Sequence, residues 1–281
     1  MRYRITHATS YAYAEPVPLG HNVARLRPRD TAAQRCLRFE FSVAPSPAWR
    51  RDRIDFFGNH AIHFSLQEPH DGLSATAVSE VELAPPEPPS SSAPWEEALG
   101  RPDLRAFTFA SPFVDPSPGL ADYARPSFPP GRPLHQAALD LTARIHADFR
   151  YVPGATAVGT PAAEVMRTRE GVCQDFAHLE IGCLRALGLA ARYVSGYALT
   201  DPPPGQDRVP GVDASHAWLA VALPGAGWVD LDPTRGGIPA GTHVTIGWAR
   251  DYGDLPPLKG VLLGGRGQSL KVSVDMVPLN P

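Results

Sequence analysis

The stretch TREGVCQDFAHLEIGCLRALGLAARYVSGY, residues 168–197, predicts the central helix of the fold and the strand that follows it. Between Cys173 and Leu187 the chain contains no proline, and its apolar residues recur at helical spacings of three and four: Phe176, Leu179, Cys183, Ala186 and Leu187. Gly188 predicts the end of this helix. Cys173 therefore lies near the start of the helix, whereas Cys183 lies on its apolar face and is expected to belong to the core.

The position of Cys173 makes it the candidate nucleophile. The N–H groups of the first helical turn have no intrahelical acceptor, and the positive end of the helix dipole favours a thiolate there. A lone cysteine is more often a small buried residue than a reactive one. The interpretation therefore requires a base, together with a third group that holds the base in place.

Both groups are found downstream. The segments DASHAWLAVAL (213–223) and GWVDLDPT (227–234) are typical of two strands joined by a glycine-containing turn. Such a short connection predicts antiparallel pairing, which can bring His216 beside Asp232 although they are 232 − 216 = 16 positions apart. Asp230 is the main rival to Asp232, because alternation along the strand puts both carboxylates on the same face.

Four segments in this order resemble the bacterial transglutaminase-like superfamily: GVCQDFAH (171–178), ARYVSGY (191–197), SHAW (215–218) and WVDLDPT (228–234). Members of this superfamily are often labelled cysteine peptidases. The N-terminal segment is similar to the β-rich domain that precedes the catalytic core in the family. The resemblance implies Cys173 as nucleophile, His216 as base and acid, and Asp232, which the family pattern before Pro-Thr selects over Asp230, as the orienting carboxylate.

The resemblance further implies an enzyme that attacks an amide carbonyl and forms a thioester on Cys173, which water or a second amine then resolves. Peptidase or amidase activity and acyl transfer both remain open. The alternative is a catalytically inactive module that binds a protein or peptide on the same scaffold. A metal site of Cys173, Cys183 and His216 is disfavoured because these residues lack paired ligand spacing, and no calcium-binding loop is evident, so we expect no cofactor.

Further site residues are predicted around this triad. The backbone N–H of Cys173 is the expected first oxyanion donor. Animal transglutaminases supply an indole from upstream of the cysteine, but this chain has no tryptophan between Trp95 and Cys173. Tyr151 is the candidate second donor, with a core tyrosine as the alternative. Trp218 and Trp228 are candidates to line a substrate groove, although core packing is the favoured role for at least one of them. The loop DPPPGQD (201–207) is expected to border the site.

The composition limits the partners and the compartment that we expect. A net charge of −3 without a Lys/Arg cluster gives no reason to expect nucleic acid or an anionic membrane as a partner, so a peptide or protein is the expected substrate. The oligomeric state is left open. No stretch approaches the roughly 20 apolar residues of a membrane span, and MRYRITH at the start alternates like a strand. We therefore expect a cytoplasmic protein whose three cysteines stay reduced.

Three segments are expected along the chain, in an α+β fold. Residues 1–84 alternate in short segments and predict an antiparallel β-sandwich, whose scattered histidines, among them His7 and His70, lack metal-ligand spacing. Residues 85–133 form a Pro/Ser-rich linker, of which 104–113 should pack on a domain. Residues 134–281 form the transglutaminase-like, papain-like core, in which the Cys173 helix packs on an antiparallel sheet. The segments HVTIGW (243–248) and LKVSVDMV (270–277) are expected to complete that sheet.

Overall fold

The computed structural model describes residues 1–85, 91–199, 215–239 and 241–279. Its strands are β1 (Arg2–Val17), β2 (Leu19–Ala24), β3 (Gln34–Ala44), β4 (Trp49–Ile54), β5 (His60–Leu66), β6 (His70–Leu83), β7 (Arg150–Tyr151), β8 (Glu170–Gly171), β9 (Ala191–Ala198), β10 (Ser215–Leu223), β11 (Gly227–Leu231), β12 (His243–Ala249), β13 (Leu258–Leu263) and β14 (Gln268–Leu279). Its α-helices are α1 (Pro118–Ala124), α2 (Leu134–Asp148), α3 (Ala162–Thr168) and α4 (Cys173–Ala186). Short 3₁₀ helices lie at Trp95–Ala98, Pro102–Phe107, Arg125–Ser127 and Tyr252–Asp254.

Two four-stranded antiparallel sheets form the predicted β-sandwich, with strand orders β14-β1-β6-β3 and β13-β2-β5-β4. Apolar side chains of both sheets share one buried cluster, in which the rings of Phe41 and Phe64 lie 5.9 Å apart. The sequence pattern locates β1, β3, β5 and β6 but misses β2 and β4. Every residue of β4 is exposed, so this strand carries none of the apolar alternation by which the others are found.

Strand β12 joins the core sheet as predicted, but β13 and β14 belong to the sandwich, so the prediction that the segment 270–277 completes the core sheet is wrong. Strand β14 pairs antiparallel with β1, and β13 pairs antiparallel with β2. Alternation in LKVSVDMV shows that one face is buried, and Val274 and Met276 are indeed buried, but a period of two is the same whichever sheet the strand joins. The β-sandwich is therefore built from both ends of the chain.

Replacing Met276 with alanine should destabilise the sandwich, because this side chain is wholly buried in a cluster that includes Tyr3 and Ile5 of β1. We expect a loss of about 2–5 kcal/mol in the free energy of unfolding, measured by urea denaturation. The matched control is Val277→Ala in the same strand, where the side chain is 39% exposed and the change should stay within about 0.5 kcal/mol. Equal effects of the two substitutions would contradict this assignment of β14.

The core sheet has the order β11-β10-β9-β12, and all of its pairs are antiparallel. Alternate side chains divide between its two faces. Tyr193 of β9 and Leu219 and Val221 of β10 pack in one large cluster with the apolar face of α4, as predicted. Every residue of β9 is buried, because this central strand is covered on both faces.

The segment between the sandwich and α2 packs on the core. The guanidinium of Arg185, on α4, is buried and donates hydrogen bonds to the carbonyls of Phe107 (3.0 Å) and Phe109 (3.0 Å). The prediction that residues 104–113 pack on a domain is therefore confirmed. Of the helices in the described part of the chain, none combines the length and hydrophobicity that crossing a bilayer requires.

Candidate active site

Cys173 is the first residue of α4, as the sequence predicts. Asp175, in the first turn, accepts a hydrogen bond from the backbone N–H of Val172 (2.8 Å) and another from the hydroxyl of Thr156 (2.6 Å). This carboxylate caps the helix N-terminus, where negative charge is stabilising. The thiol is thus attached to a helix start whose geometry is fixed by neighbouring side chains.

The turn before Cys173 requires glycine at position 171. A Cβ on Gly171 would lie 2.9 Å from the Cβ of Asp175, which is closer than real Cβ contacts allow. Strand β8 pairs in parallel with β7, and the N–H of Val152 donates to the carbonyl of Gly171 (2.9 Å). This short pairing brings Tyr151 next to the start of α4.

His216 and Asp232 lie side by side, because β10 and β11 pair antiparallel with Leu219 opposite Leu231. The Nε2 of His216 is 2.8 Å from the Oδ2 of Asp232. Asp232 begins the turn after β11, and its Oδ1 accepts hydrogen bonds from the N–H groups of Thr234 (2.9 Å) and Arg235 (3.3 Å). The turn therefore fixes the orientation of the carboxylate.

Cys173 lies close enough to His216 for its sulfur to act on the imidazole, both as a hydrogen-bonding group and through its charge. Because Nε2 is taken by Asp232, Nδ1 is the ring nitrogen that remains for the thiol. Burial opposes the charged imidazole, but the hydrogen bonds to Asp232 and Cys173 outweigh it and raise the pKa of His216 to about 9. Burial likewise opposes the Asp232 carboxylate, yet hydrogen bonds from His216 and His243 hold its pKa well below the usual range. The arrangement favours a charged imidazolium between a sulfur atom and a carboxylate.

A second histidine, His243, was not predicted as a site residue. Its Nε2 lies 2.9 Å from the same Oδ2 of Asp232, and the two imidazole rings are 5.5 Å apart. Strands β10 and β12 both begin opposite the end of β9, where His216 pairs with Gly196 and His243 with Ala198. The segment HVTIGWA reads only as a strand, and nothing in the sequence gives the strand order that brings these two histidines together.

The two histidines are expected to have opposite charge states at pH 7. His216 is charged, since its pKa is raised to about 9, whereas burial lowers the pKa of His243 and keeps it neutral, with its proton on Nε2. Long-range ¹⁵N NMR spectra, assigned with His216→Gln and His243→Gln, measure both states. We expect the His216 imidazolium to lose its proton only as the pH rises through about 9. Titration of both rings near the ordinary histidine pKa of about 6.5 would contradict the shared-carboxylate arrangement.

Among the described residues, one group has the ligand atoms to hold a metal ion: His216, Asp232 and His243. These atoms all lie within 4.8 Å of one another. Two imidazoles and a carboxylate suit several transition metals. The same three groups satisfy one another as hydrogen-bond partners at 2.8 and 2.9 Å. The NMR spectra distinguish the two arrangements, because a metal would displace the protons from both Nε2 atoms.

Tyr151 lies close to Cys173 and is 49% exposed. Burial of part of the ring, and then the negative charges of Cys173 and Asp175, raise the pKa of its hydroxyl. The phenol therefore stays protonated near the thiol and is able to donate a hydrogen bond. Its role as second oxyanion donor stays a prediction.

Trp218 does not line a substrate groove, so that prediction is wrong. Its side chain is wholly buried, stacks on the His216 ring at 6.0 Å, and donates from Nε1 to the Oδ2 of Asp230 (3.1 Å). Asp230 thus accepts its hydrogen bond from the indole of Trp218 and does not contact His216. The carboxylate beside the imidazole is that of Asp232. Trp228 lines a cavity that is described below. The predicted loop 201–207 lies outside the described residues.

Two further residues of α4 have structural roles, which for Cys183 is the role predicted from the sequence. Cys183 is wholly buried in the core. His178 is buried, and its Nε2 accepts a hydrogen bond from the N–H of Tyr252 (3.2 Å). Burial lowers the pKa of His178 to about 4, so this imidazole is neutral. Neither residue takes part in the cluster around Cys173.

Comparisons with known proteins agree with this architecture. Residues 3–82 match the family model of the bacterial transglutaminase-like N-terminal region, and residues 123–233 match that of the transglutaminase-like superfamily. An uncharacterized protein of Mycobacterium tuberculosis (strain H37Rv) is 43% identical over 99% of this chain and 93% of its own length. A protein-glutamine gamma-glutamyltransferase of Pseudomonas aeruginosa is 33% identical, but over only 32% of this chain and 14% of its own length.

The same fold is found in the crystal structure of a protein from Cytophaga hutchinsonii that is named as a proposed cysteine protease. It matches 100% of this chain and 91% of its own chain, with a TM-score of 0.80 and 22% sequence identity. At that identity the match shows the fold alone. The two family models and the full-length relative, taken with the cysteine at the start of α4, lead to one conclusion: the chain belongs to the transglutaminase-like superfamily.

Proposed function

We propose that the protein is a cysteine-dependent enzyme of amide bonds that acts through a thioester on Cys173. The observation that carries the proposal is that Cys173, at the start of a helix, lies close enough to His216 to act on its charge, while His216 is 2.8 Å from Asp232. A module that only binds peptides has no need of this arrangement. The superfamily supports a cysteine enzyme, and the choice of reaction rests on the chemistry of these three groups.

In the proposed reaction, the thiolate Sγ of Cys173 attacks the carbonyl carbon of an amide, and a C–S bond forms as the carbonyl oxygen becomes an oxyanion. The C–N bond then breaks, and the imidazolium of His216 gives its proton to the departing amine. The neutral His216 next takes a proton from water or from a second amine, which attacks the thioester carbon. The C–S bond breaks, and the thiolate and the imidazolium are restored.

The other groups of the site support particular steps. Asp232 stabilises the imidazolium and fixes the ring, since its carboxylate is 1% exposed and held by the turn after β11. The N–H of Cys173, in the first turn of α4, is the proposed first donor to the oxyanion. Tyr151 is the proposed second donor. The proposed substrate is a peptide or protein in the cytoplasm, where a reduced thiol persists.

Hydrolysis and acyl transfer differ only in the nucleophile that resolves the thioester. The Pseudomonas relative is named a protein-glutamine gamma-glutamyltransferase but matches only 32% of this chain, and the Cytophaga match shows the fold alone, so neither decides between the two outcomes. We therefore propose only the first step, attack on an amide bond by Cys173. The experiment below asks whether water or an amine resolves the thioester.

The test is to incubate the protein with a peptide library, once in water alone and once with a biotin-linked primary amine. Mass spectrometry then records cleaved peptides, biotin-labelled peptides, and acyl adducts on each cysteine after an acid quench. An acyl adduct on Cys173 that disappears over time supports the proposal. If neither nucleophile gives product and Cys173 never carries an acyl group, the inactive binding module is favoured instead.

A further inference from the structure

A second candidate site lies on the face of the core sheet opposite α4. There, residues of β9, β11 and β12 and parts of the β-sandwich enclose a cavity of about 310 Å³. Part of its wall is aliphatic, from Leu83, Val194 and Ile238. Neither Cys173 nor His216 is among the described residues that line it. The volume is at the small end of the range for ligand pockets and suits a small molecule rather than a protein segment.

The cavity contains a buried arginine without a hydrogen-bond partner. Arg192 is 8% exposed, and its guanidinium is stacked between the rings of Trp228 (4.3 Å) and Trp248 (3.8 Å). Its Nε has no partner, and its terminal nitrogens donate no hydrogen bond within the described part of the chain. The indoles cover both faces of the planar group, so only its N–H edge is free to bind an acceptor. Leaving these donors unpaired in a buried site is costly.

A carboxylate in the same wall also lacks an ion-pair partner within the described part of the chain. Asp230 accepts one hydrogen bond, from Trp218, and no nitrogen of Arg192 comes within 4.0 Å of its oxygens. Burial raises the pKa of Asp230, although the indole and the charge of Arg192 oppose this, and burial lowers the pKa of Arg192 to about 9. The two charges attract each other but do not form an ion pair, so the N–H edge of Arg192 and the carboxylate of Asp230 can each take a further partner.

We propose that this cavity binds a free aliphatic α-amino acid, whose carboxylate pairs with the N–H edge of Arg192 and whose ammonium pairs with Asp230. A zwitterion brings one partner to each unmatched charge and adds no net charge to the cavity. A simple anion would meet the repulsion of Asp230, and a simple cation that of Arg192. The aliphatic wall then receives the side chain. Arg–carboxylate pairs are among the strongest hydrogen-bonded contacts, which favours Arg192 as the anchor.

This cavity is separate from the site at Cys173, but it adjoins the cluster of His216, Asp232 and His243. His243 lines the cavity and donates to Asp232 on its other side. An amino acid in the cavity would therefore contact the residue that shares the Asp232 carboxylate with His216. The binding itself does not depend on the proposed reaction, so the two proposals are tested separately.

The test is isothermal titration calorimetry of the full-length protein with three probes: L-leucine, L-leucinamide, which lacks the carboxylate, and 4-methylpentanoate, which lacks the ammonium. We expect leucine to bind, and each of the other two to bind at least about tenfold more weakly. Arg192→Gln and Asp230→Asn should each weaken leucine binding to a similar extent. Arg250→Gln is the matched control, because Arg250 pairs with Asp254 (2.7 Å) and does not line the cavity.

Cys173→Ala separates the two proposals, since it removes the nucleophile and should leave leucine binding intact. The proposal is overturned if leucine fails to bind at up to about 10 mM, or if 4-methylpentanoate binds as tightly as leucine. Undiminished leucine binding by Arg192→Gln would also overturn it. The three-probe comparison uses the unaltered protein, so the result stands even if a substitution at Arg192 prevents folding.

Discussion

Cys173→Ala is expected to reduce turnover of any amide substrate by roughly 10⁴-fold or more, because no other group in the described site can form the thioester. The fold should survive, since Cys173 is partly exposed at the start of α4 and alanine is compatible with that position. Turnover is measured as initial rates on a peptide identified in the library experiment. Thermal unfolding of the variant shows whether the loss of rate has a chemical cause.

The matched control for this substitution is Cys183→Ala, in the same helix ten residues further along the chain. Cys183 is wholly buried in the core, and burial strongly raises the pKa of its thiol, so it has no access to substrate and no thiolate to offer. We expect a modest loss of stability and a rate within about threefold of the wild type. If Cys173→Ala kept more than about a tenth of the rate, the thioester proposal would fail.

Asp232→Asn is expected to lower the rate by roughly 10³- to 10⁴-fold while leaving substrate binding nearly unchanged. The amide carries no negative charge with which to stabilise the imidazolium of His216. Its NH₂ group would also face the protonated Nε2 of that ring, so that two hydrogen-bond donors would oppose each other. The amide oxygen introduced by this substitution can still accept hydrogen bonds from Thr234 and Arg235, so the turn should be kept. Steady-state kinetics should show the loss in kcat rather than in KM.

Asp230→Asn gives the comparison that the sequence itself suggests, because the two carboxylates are two positions apart along the chain. Asp230 contacts the indole of Trp218 and not His216. We expect its loss of rate to be at least about a hundredfold smaller than that of Asp232→Asn. A reversed order would mean that the other carboxylate orients the imidazole, which contradicts the 2.8 Å contact between His216 and Asp232.

The parts of the site that could be predicted from sequence are those set by local signals. Helix α4 follows from apolar spacing and from Gly188, and the β10–β11 hairpin follows from two strands and a short turn. These two elements place Cys173, His216 and Asp232. The choice between Asp230 and Asp232 depends on where β11 ends: Leu231 is its last residue, so Asp232 belongs to a turn whose N–H groups orient its carboxylate.

The parts that could not be predicted depend on pairings between distant segments. His243 reaches Asp232 only because β12 lies beside β9, and β14 joins β1 across nearly the whole chain. The alternation of apolar and polar residues does not reveal either pairing, since a strand has the same period of two beside any neighbour. The burial of Trp218 also involves a distant segment, because its ring lies 5.1 Å from that of His243 on β12.

The central claim is that Cys173 and His216 form a thiolate–imidazolium pair in the free protein. It is tested most directly by the pH dependence of iodoacetamide alkylation, with each cysteine followed by mass spectrometry in the wild type and in His216→Ala. Because the pKa of His216 is raised to about 9, its positive charge is present throughout the neutral range and is lost only as the pH rises through that value. Cys36 is the internal reference, since burial raises the pKa of its thiol.

We predict that Cys173 alone reacts rapidly below about pH 7 and that His216→Ala slows this reaction by at least about tenfold. If Cys173 instead reacts no faster than Cys36, or only at alkaline pH, the free protein holds no activated thiol and the proposed pair is contradicted.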